Sequence, residues 1–207
     1  MKKFIILISG RGSNMGALLK AYKEGHLQAE PALVISNRSQ APGLETARSF
    51  GVRTEFISFK DGRAGEQRTI ELAREVGAEF IVLAGFMRVL TETLINAFPN
   101  RIINIHPSLL PAFPGLHAQK QALDYGVRVS GCTTHFVNAG VDTGPTIQQR
   151  VVEVKPDDTE ETLSARILAE EHGLIVETVN LLATNRLSTE EGREVTVLTA
   201  DNADERR

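Results

Sequence analysis

No disulfide can brace this chain from within, because its 207 residues contain one cysteine, Cys132. A lone thiol fits a reducing compartment, and a cytoplasmic location is expected. Histidine and cysteine never fall at zinc-site spacing, so no metal is expected. Charge of one sign is also scarce. Twenty-three basic side chains against 26 acidic ones leave a formal net charge of −3, without the basic footprint of a nucleic-acid partner. No apolar run approaches the roughly 20 residues of a membrane span, so no membrane association is expected. The short apolar run after Lys2 and Lys3 loosely mimics a signal peptide, but it is too brief and no small-residue cleavage site follows. No repeat, low-complexity linker or change of composition divides the chain, and residues 1–207 are expected to form a single domain.

Phe4, Ile5, Ile6, Leu7 and Ile8 are continuously apolar, the pattern of a strand buried on both faces. Met15, Leu18, Leu19 and Tyr22 then recur at helical spacing. Further strands are expected at residues 32–36, 53–59, 80–84 and 101–105. Between them lie a helix with Leu44, Ala47, Arg48 and Phe50, one over residues 66–76 closed by Gly77, and one capped by Thr91 through Phe98. This alternation predicts an α/β fold with a doubly wound, mostly parallel sheet. Ligands of such sheets sit beyond the carboxyl ends of the strands, so loops 10–14, 85–90 and 106–115 are expected on one rim. The second half differs. Residues 131–137 and 145–154 read as strands joined by the tight loop 138–144, which implies antiparallel pairing. A long helix over about residues 159–183 follows, entered through Asp157, Asp158 and Thr159. The polar tail, residues 199–207, is expected to fray.

The segment NIHPSLLPAFPGLH, residues 104–117, concentrates Pro107, Pro111, Pro114 and Gly115 at the end of a strand. Proline fixes φ and stiffens the loop. Asn104 and His106 share one side because strand side chains alternate. An amide donor beside an imidazole suits chemistry that builds negative charge on a carbonyl oxygen. A stiff loop whose histidine bonds only its neighbours is the alternative. Gly10-Arg11-Gly12-Ser13-Asn14 links a strand to a helix start, where free N–H groups and the helix dipole attract phosphate. Met15 stands where a dinucleotide fingerprint needs Gly or Ala, and no Lys-Ser/Thr pair makes a nucleoside-triphosphate loop. A single phosphate monoester fits best, against a helix start capped by Ser or Asn with no ligand. In Gly85-Phe86-Met87-Arg88-Val89-Leu90, apolar backbone at the rim can face a flat heteroaromatic ligand, or simply pack the core. Asp142 reads first as a turn-shaping acid; if its loop folds over the rim, its carboxylate favours a charged His106. His26 and His135 read as structural, and Cys132 as a buried thiol.

Taken together, SGRGSN (residues 9–14), LAGFMRVL (83–90), NIHPSLLPAFPGLH (104–117), GCTTHFVNAGVDTGP (131–145) and EEH (170–172) resemble the folate-dependent formyltransferases, and in particular the phosphoribosylglycinamide formyltransferase family. The likeness extends to about Arg186. Methionyl-tRNA formyltransferases carry an added carboxy-terminal nucleic-acid-binding domain, for which this chain has neither the length nor the charge. Formyltetrahydrofolate deformylases usually carry an added amino-terminal domain, whereas this chain opens at its first strand.

The resemblance implies a Rossmann-like formyltransferase fold, with a phosphate-binding half over about residues 1–100 and a catalytic and folate-binding half over about 101–190. It implies 10-formyltetrahydrofolate as cosubstrate, glycinamide ribonucleotide as acceptor, and no metal. Asn104, His106 and Asp142 would be catalytic. Gly12, Ser13 and Asn14 would hold the phosphate, with Glu170 and Glu171 near the ribose and amine. The folate would meet Met87, Arg88, Val89 and Leu90, together with Asn104, Asn138, Ala139, Gly140 and Val141, and Arg63 would contact its tail. Arg11, between the loop glycines, departs from the family's common residue with little expected effect. Monomer and homodimer both remain open. Two rival functions stand beside formyl transfer: hydrolysis of a formyl-folate, and non-catalytic binding of a phosphometabolite.

Overall fold

The computed structural model describes residues 1–189 and 195–198, so the tail expected to fray, residues 199–207, lies outside the described residues. Nine strands are present among the described residues: β1 (Lys2–Ile8), β2 (Ala29–Ser36), β3 (Thr54–Phe56), β4 (Ala78–Leu83), β5 (Ile102–His106), β6 (Val129–Phe136), β7 (Thr146–Glu153), β8 (Leu187–Thr189) and β9 (Val195–Val197). The first seven make one sheet in the order β3-β2-β1-β4-β5-β6-β7, and β8 and β9 form a separate hairpin. Neighbours from β3 to β5 run parallel, whereas β6 and β7 pair antiparallel. The doubly wound, mostly parallel sheet with an antiparallel carboxy-terminal portion is therefore observed.

Side chains alternate across β1 and feed two cores. Phe4, Ile6 and Ile8 pack with α1 (Ser13–Lys23), α2 (Pro42–Ser49) and α6 (Glu160–Ala183). Ile5 and Leu7 face the opposite way, against α3 (Gly62–Glu75) and α4 (Glu92–Ala97). All five are fully buried, and burying each such side chain contributes about 1.5–3 kcal/mol. A third cluster seats Leu163, Ile167 and Leu174 of α6 on Cys132 and Val152 of the antiparallel strands. Thr159 caps α6 in a reciprocal box with Thr162, as the Asp157-Asp158-Thr159 entry suggests. Among the described residues, no helix is long and apolar enough to cross a membrane.

The differences from expectation have local causes. The third strand was expected over residues 53–59 but ends at Phe56. Ile57 and Phe59 are buried beyond it, and Phe59 meets Phe86 edge-on at 5.1 Å. Their alternation signals burial in the core, not ladder pairing. Helix α3 starts at Gly62, before its apolar stripe, because Asp61 accepts the Ala64 N–H at 3.2 Å. Strand β2 begins ahead of Pro31, and a register shift between Phe4 and Ile5 of β1 absorbs the proline. Helix α5 (Ala118–Tyr125) and the β8–β9 hairpin were not expected. Buried Glu66 of α3 accepts from Thr91 N at 2.6 Å, Thr91 Oγ1 at 2.5 Å and Leu94 N at 3.2 Å, which fastens α4 and the end of the preceding loop to the core.

Candidate active site

A cavity of about 850 Å³ opens at the carboxyl ends of β4 and β5 and beside the start of α1. Gly12 precedes α1 with φ +67°, a left-handed conformation that glycine adopts without strain. No side chain caps this helix and no acid lies in its first turn. Its leading N–H groups and positive dipole end are thus available to an anion. Helix α2 props the loop from behind, since Gly43 N donates to Gly10 O at 3.1 Å.

On the opposite wall, Asn104 and His106 leave the end of β5, and Asp142 descends from the loop between β6 and β7. His106 Nδ1 lies 3.2 Å from Asp142 Oδ2, while its Nε2 bonds Phe113 O at 2.9 Å. Asn104 Nδ2 donates to Asp142 Oδ1 at 3.4 Å and contacts His135 Nε2 at 3.1 Å. His135 Nδ1 faces Phe136 O at 2.8 Å. A carbonyl can only accept, so Nδ1 carries a proton, and Nε2 faces both the Asn104 amide and, at 3.6 Å, Asp142 Oδ1. That arrangement orients the Asn104 amide. The covering loop is tied down in turn, because Gly115 N donates to Asp142 Oδ2 at 2.8 Å. Phe113 and Asp142, at φ 53° and 52°, hold left-handed conformations unusual for side-chain-bearing residues.

The charges in this cluster oppose burial. Burial pushes the His106 imidazole below its ordinary pKa; the Phe113 carbonyl and the Asp142 carboxylate pull upward without prevailing. For Asp142 burial works upward, but His135, the Gly115 N–H and His106 outweigh it and hold the carboxyl below its usual range. The result is an anion fixed beside an imidazole that gains a proton only when further negative charge arrives. Cys132 has its thiol pushed up to about 12 by burial and is no nucleophile.

A third wall is one face of α6. Glu160, Ser164, Leu168 and Glu171, at spacings of four, four and three, all line the cavity. Glu171 is buried and accepts from Asn14 Nδ2 at 2.8 Å. Burial raises its carboxyl to about 6, against the partial relief of that bond.

Of the expected site residues, Asn104, His106, Asp142, Ser13, Asn14, Glu171, Met87, Arg88, Val89, Leu90, Asn138, Gly140 and Val141 line this one cavity. Gly12, Ala139, Arg63 and Glu170 do not. Glu170 turns toward β7, where its Oε2 accepts from Arg150 at 3.2 Å. One helical step rotates a side chain by about 100°, and here that step carries Glu170 away from the cavity that Glu171 faces. Asn14 gives one of its two amide protons to Glu171. Three residues given no site role in the sequence also face the cavity: His117, His135, which was read as structural, and Arg11, which was read as a change of little effect. His135 sits directly across the β5–β6 ladder from Asn104, a pairing absent from the antiparallel reading of residues 131–137, which joined them only to residues 145–154.

The chain matches the family model described as Formyl transferase over residues 2–179. A phosphoribosylglycinamide formyltransferase of Bacillus subtilis (strain 168) is 45% identical over 175 residues, covering 83% of this chain and 90% of that protein. A trifunctional purine biosynthetic protein adenosine-3 of Drosophila pseudoobscura pseudoobscura is 47% identical over 191 residues; the match covers 90% of this chain but only 14% of that protein's length. The crystal structure of glycinamide ribonucleotide transformylase 1 from Symbiobacterium toebii superposes with a TM-score of 0.93 at 48% identity, covering 96% of this chain and 95% of that one. Family match, relatives and fold agree, and the chain belongs to the formyl transferase family.

Proposed function

We propose that the chain transfers the formyl group of 10-formyltetrahydrofolate to the amine of N1-(5-phospho-D-ribosyl)glycinamide, giving the N-formyl ribonucleotide and tetrahydrofolate. The observation that carries this reading is the meeting, on one cavity, of an uncapped helix N-terminus and the cluster of buried His106 with half-buried Asn104 and Asp142. A phosphate at Ser13 and Asn14 holds one end of the acceptor, and Glu171 takes hydroxyls of its ribose. The apolar loop with Met87, Val89 and Leu90, facing Val141, encloses a flat pterin.

The unprotonated amine attacks the formyl carbon, forming a C–N bond while the carbonyl pair moves onto oxygen. Asn104 Nδ2 donates to that oxyanion, and His106, whose Nε2 proton is given to Phe113 O, donates from Nδ1 once that nitrogen takes up a proton as the negative charge builds. Their contacts with Asp142, at 3.4 and 3.2 Å, are longer than the 2.7–2.9 Å usual for a charge-assisted bond, so the donors are only loosely held. The oxyanion and Asp142 together raise the pKa of His106 against burial. The proton lost by the amine nitrogen is matched by one gained at the folate nitrogen as the old C–N bond breaks. No metal or covalent enzyme intermediate enters these steps.

The test supplies 10-formyltetrahydrofolate with and without glycinamide ribonucleotide and follows tetrahydrofolate and formate. Folate product appearing only with the nucleotide is the expected result. Formate release without nucleotide would assign the site to hydrolysis, and no turnover at all would leave a binding domain. A second expectation concerns the phosphate end. A Cβ on Gly43 would stand 2.5 Å from Ile8 Cδ1 and 2.9 Å from Gly10 O. Gly43→Ala therefore displaces the loop and raises the ribonucleotide KM about tenfold, equivalent to about 1.4 kcal/mol. The KM for formyl-folate should change far less. Equal changes in both constants would count against the phosphate assignment.

A further inference from the structure

His106, Thr133 and Gln149 occupy one transverse row of the sheet. His106 pairs directly with Thr133 across β5 and β6, and Thr133 pairs with Gln149 across β6 and β7. Directly opposed residues project from the same face. The active-site imidazole thus stands at one end of the row, and an exposed glutamine on the edge strand stands at the other. Between them, the loop that leaves His106 folds back over Thr133. The buried Thr133 hydroxyl donates to Ser108 O at 2.7 Å and accepts from Leu110 N at 3.0 Å and Gln149 Nε2 at 2.9 Å. One proton and two lone pairs are all that a hydroxyl has, and these three bonds use them. Gln149 Nε2 also donates to Leu110 O at 2.9 Å.

The loop carries this anchorage back to the imidazole. Ser108 Oγ donates to Ala112 O at 2.5 Å, and Ala112 N donates to Leu109 O at 3.0 Å. The next residue, Phe113, turns its carbonyl to His106 Nε2 at 2.9 Å. Two groups therefore compete for the one proton of the neutral ring. The Phe113 carbonyl holds it on Nε2, while the Asp142 carboxylate, 3.2 Å from Nδ1, favours the other nitrogen. A displaced loop weakens the first and hands the proton to the second. The nitrogen that must take up a proton beside the oxyanion would then already hold one.

We propose that Gln149 is a positioning residue for His106: through Leu110 and Thr133 it holds the loop whose Phe113 carbonyl keeps the resting proton on Nε2, leaving Nδ1 open. Gln149 does not line the cavity and touches no reacting atom. Its kinetic consequence rests on the formyl-transfer reading above, whereas its effect on the ring belongs to the free chain.

The test compares Gln149→Met, which keeps the side chain's length and removes both donated bonds, with Gln148→Met. Gln148 projects from the opposite face of β7 and accepts from Thr178. Heteronuclear NMR of histidine-labelled protein, with His106 assigned through His106→Ala, reports which ring nitrogen is protonated. Burial keeps His106 below its ordinary pKa, so spectra taken at pH 8 show the neutral ring. The parent should hold the proton on Nε2. Gln149→Met should shift it toward Nδ1 and lower kcat about tenfold to a hundredfold, with little change in either KM. Gln148→Met should match the parent in both readings. Because Gln149 is exposed, its variant is expected to fold, and thermal unfolding checks this. Parent-like nitrogen shifts in Gln149→Met would overturn the assignment even if kcat fell, since a general loosening lowers kcat without moving the proton. A moved proton with the parent's kcat would overturn the kinetic role. A parent chain without formyl transfer would remove the functional reading, while the shifts would still decide whether Gln149 sets the ring's proton.

Discussion

Replacing His106 with alanine should lower kcat by about two to three orders of magnitude, the usual cost of losing one oxyanion donor, about 2.7–4 kcal/mol. The imidazole is 5% exposed, and in the proposed mechanism its Nδ1, once protonated, donates to the formyl oxygen as that atom changes from carbonyl to alkoxide. Only an interaction stronger in the transition state than in the ground state accelerates chemistry. Loss of the ring should therefore depress kcat and kcat/KM together and leave KM nearly unchanged. Asn104→Ala should behave similarly but carries a further consequence. It removes the partner of His135 Nε2 and one donor to Asp142, whereas His106→Ala leaves the Asn104–His135 contact in place. Steady-state kinetics on both variants, with thermal unfolding to confirm that each is folded, checks the assignment. A His106→Ala enzyme within a few-fold of the parent kcat would remove His106 from the chemistry.

The extent to which this site was readable from sequence follows from the range of the interactions that build it. Phe4 to Ile8 announced a buried strand because all five side chains are apolar, and the two opposed cores they feed follow from simple alternation. Asn104 and His106 were readable together because two residues along a strand point the same way, and the prolines after them marked the strand's end. Asp142 was not assignable by local signals. Its loop reads as an ordinary turn, and its role comes from lying across the rim, bonded to Gly115 far away in sequence. Glu170 and Glu171 show a different limit. Acidic neighbours in a helix look alike until the neighbouring elements fix which face is buried. The regular spacing of Glu160, Ser164, Leu168 and Glu171 becomes meaningful once the sheet and α1 define that face. Helix α5 escaped notice because it follows a proline- and glycine-rich stretch and opens at His117, a left-handed residue with no side-chain cap bond.

Glu171→Gln should stabilise the chain at neutral pH while impairing its use of the ribonucleotide. Burial holds the Glu171 carboxyl at about 6 in the folded state, against 4.5 for an unperturbed glutamate. One pH unit of such a gap corresponds to about 1.4 kcal/mol, so ionising this buried group costs the folded state about 2 kcal/mol. The sign is set by proton uptake. Between pH 4.5 and about 6 the folded chain holds this proton more firmly than the unfolded chain, so stability falls as pH rises through that window. Glutamine carries no such penalty and can still accept the Asn14 amide through its own oxygen. The stability difference between variant and parent should thus be small at pH 4, grow across the window, and level off near about 2 kcal/mol above pH 7. Denaturant unfolding at a series of pH values measures it, and a difference independent of pH would refute the link to Glu171. Function should move the opposite way. The anion accepts ribose hydroxyls more strongly than a neutral amide does, by about 1 kcal/mol or more. The ribonucleotide KM of the variant should therefore rise severalfold at pH 8, where the parent carries the charge, and approach the parent value below pH 6, where the parent's carboxyl is itself protonated. On the proposed function, the acceptor's hydroxyls are the partners that offset the cost this buried carboxylate imposes on the fold at the pH where it binds substrate.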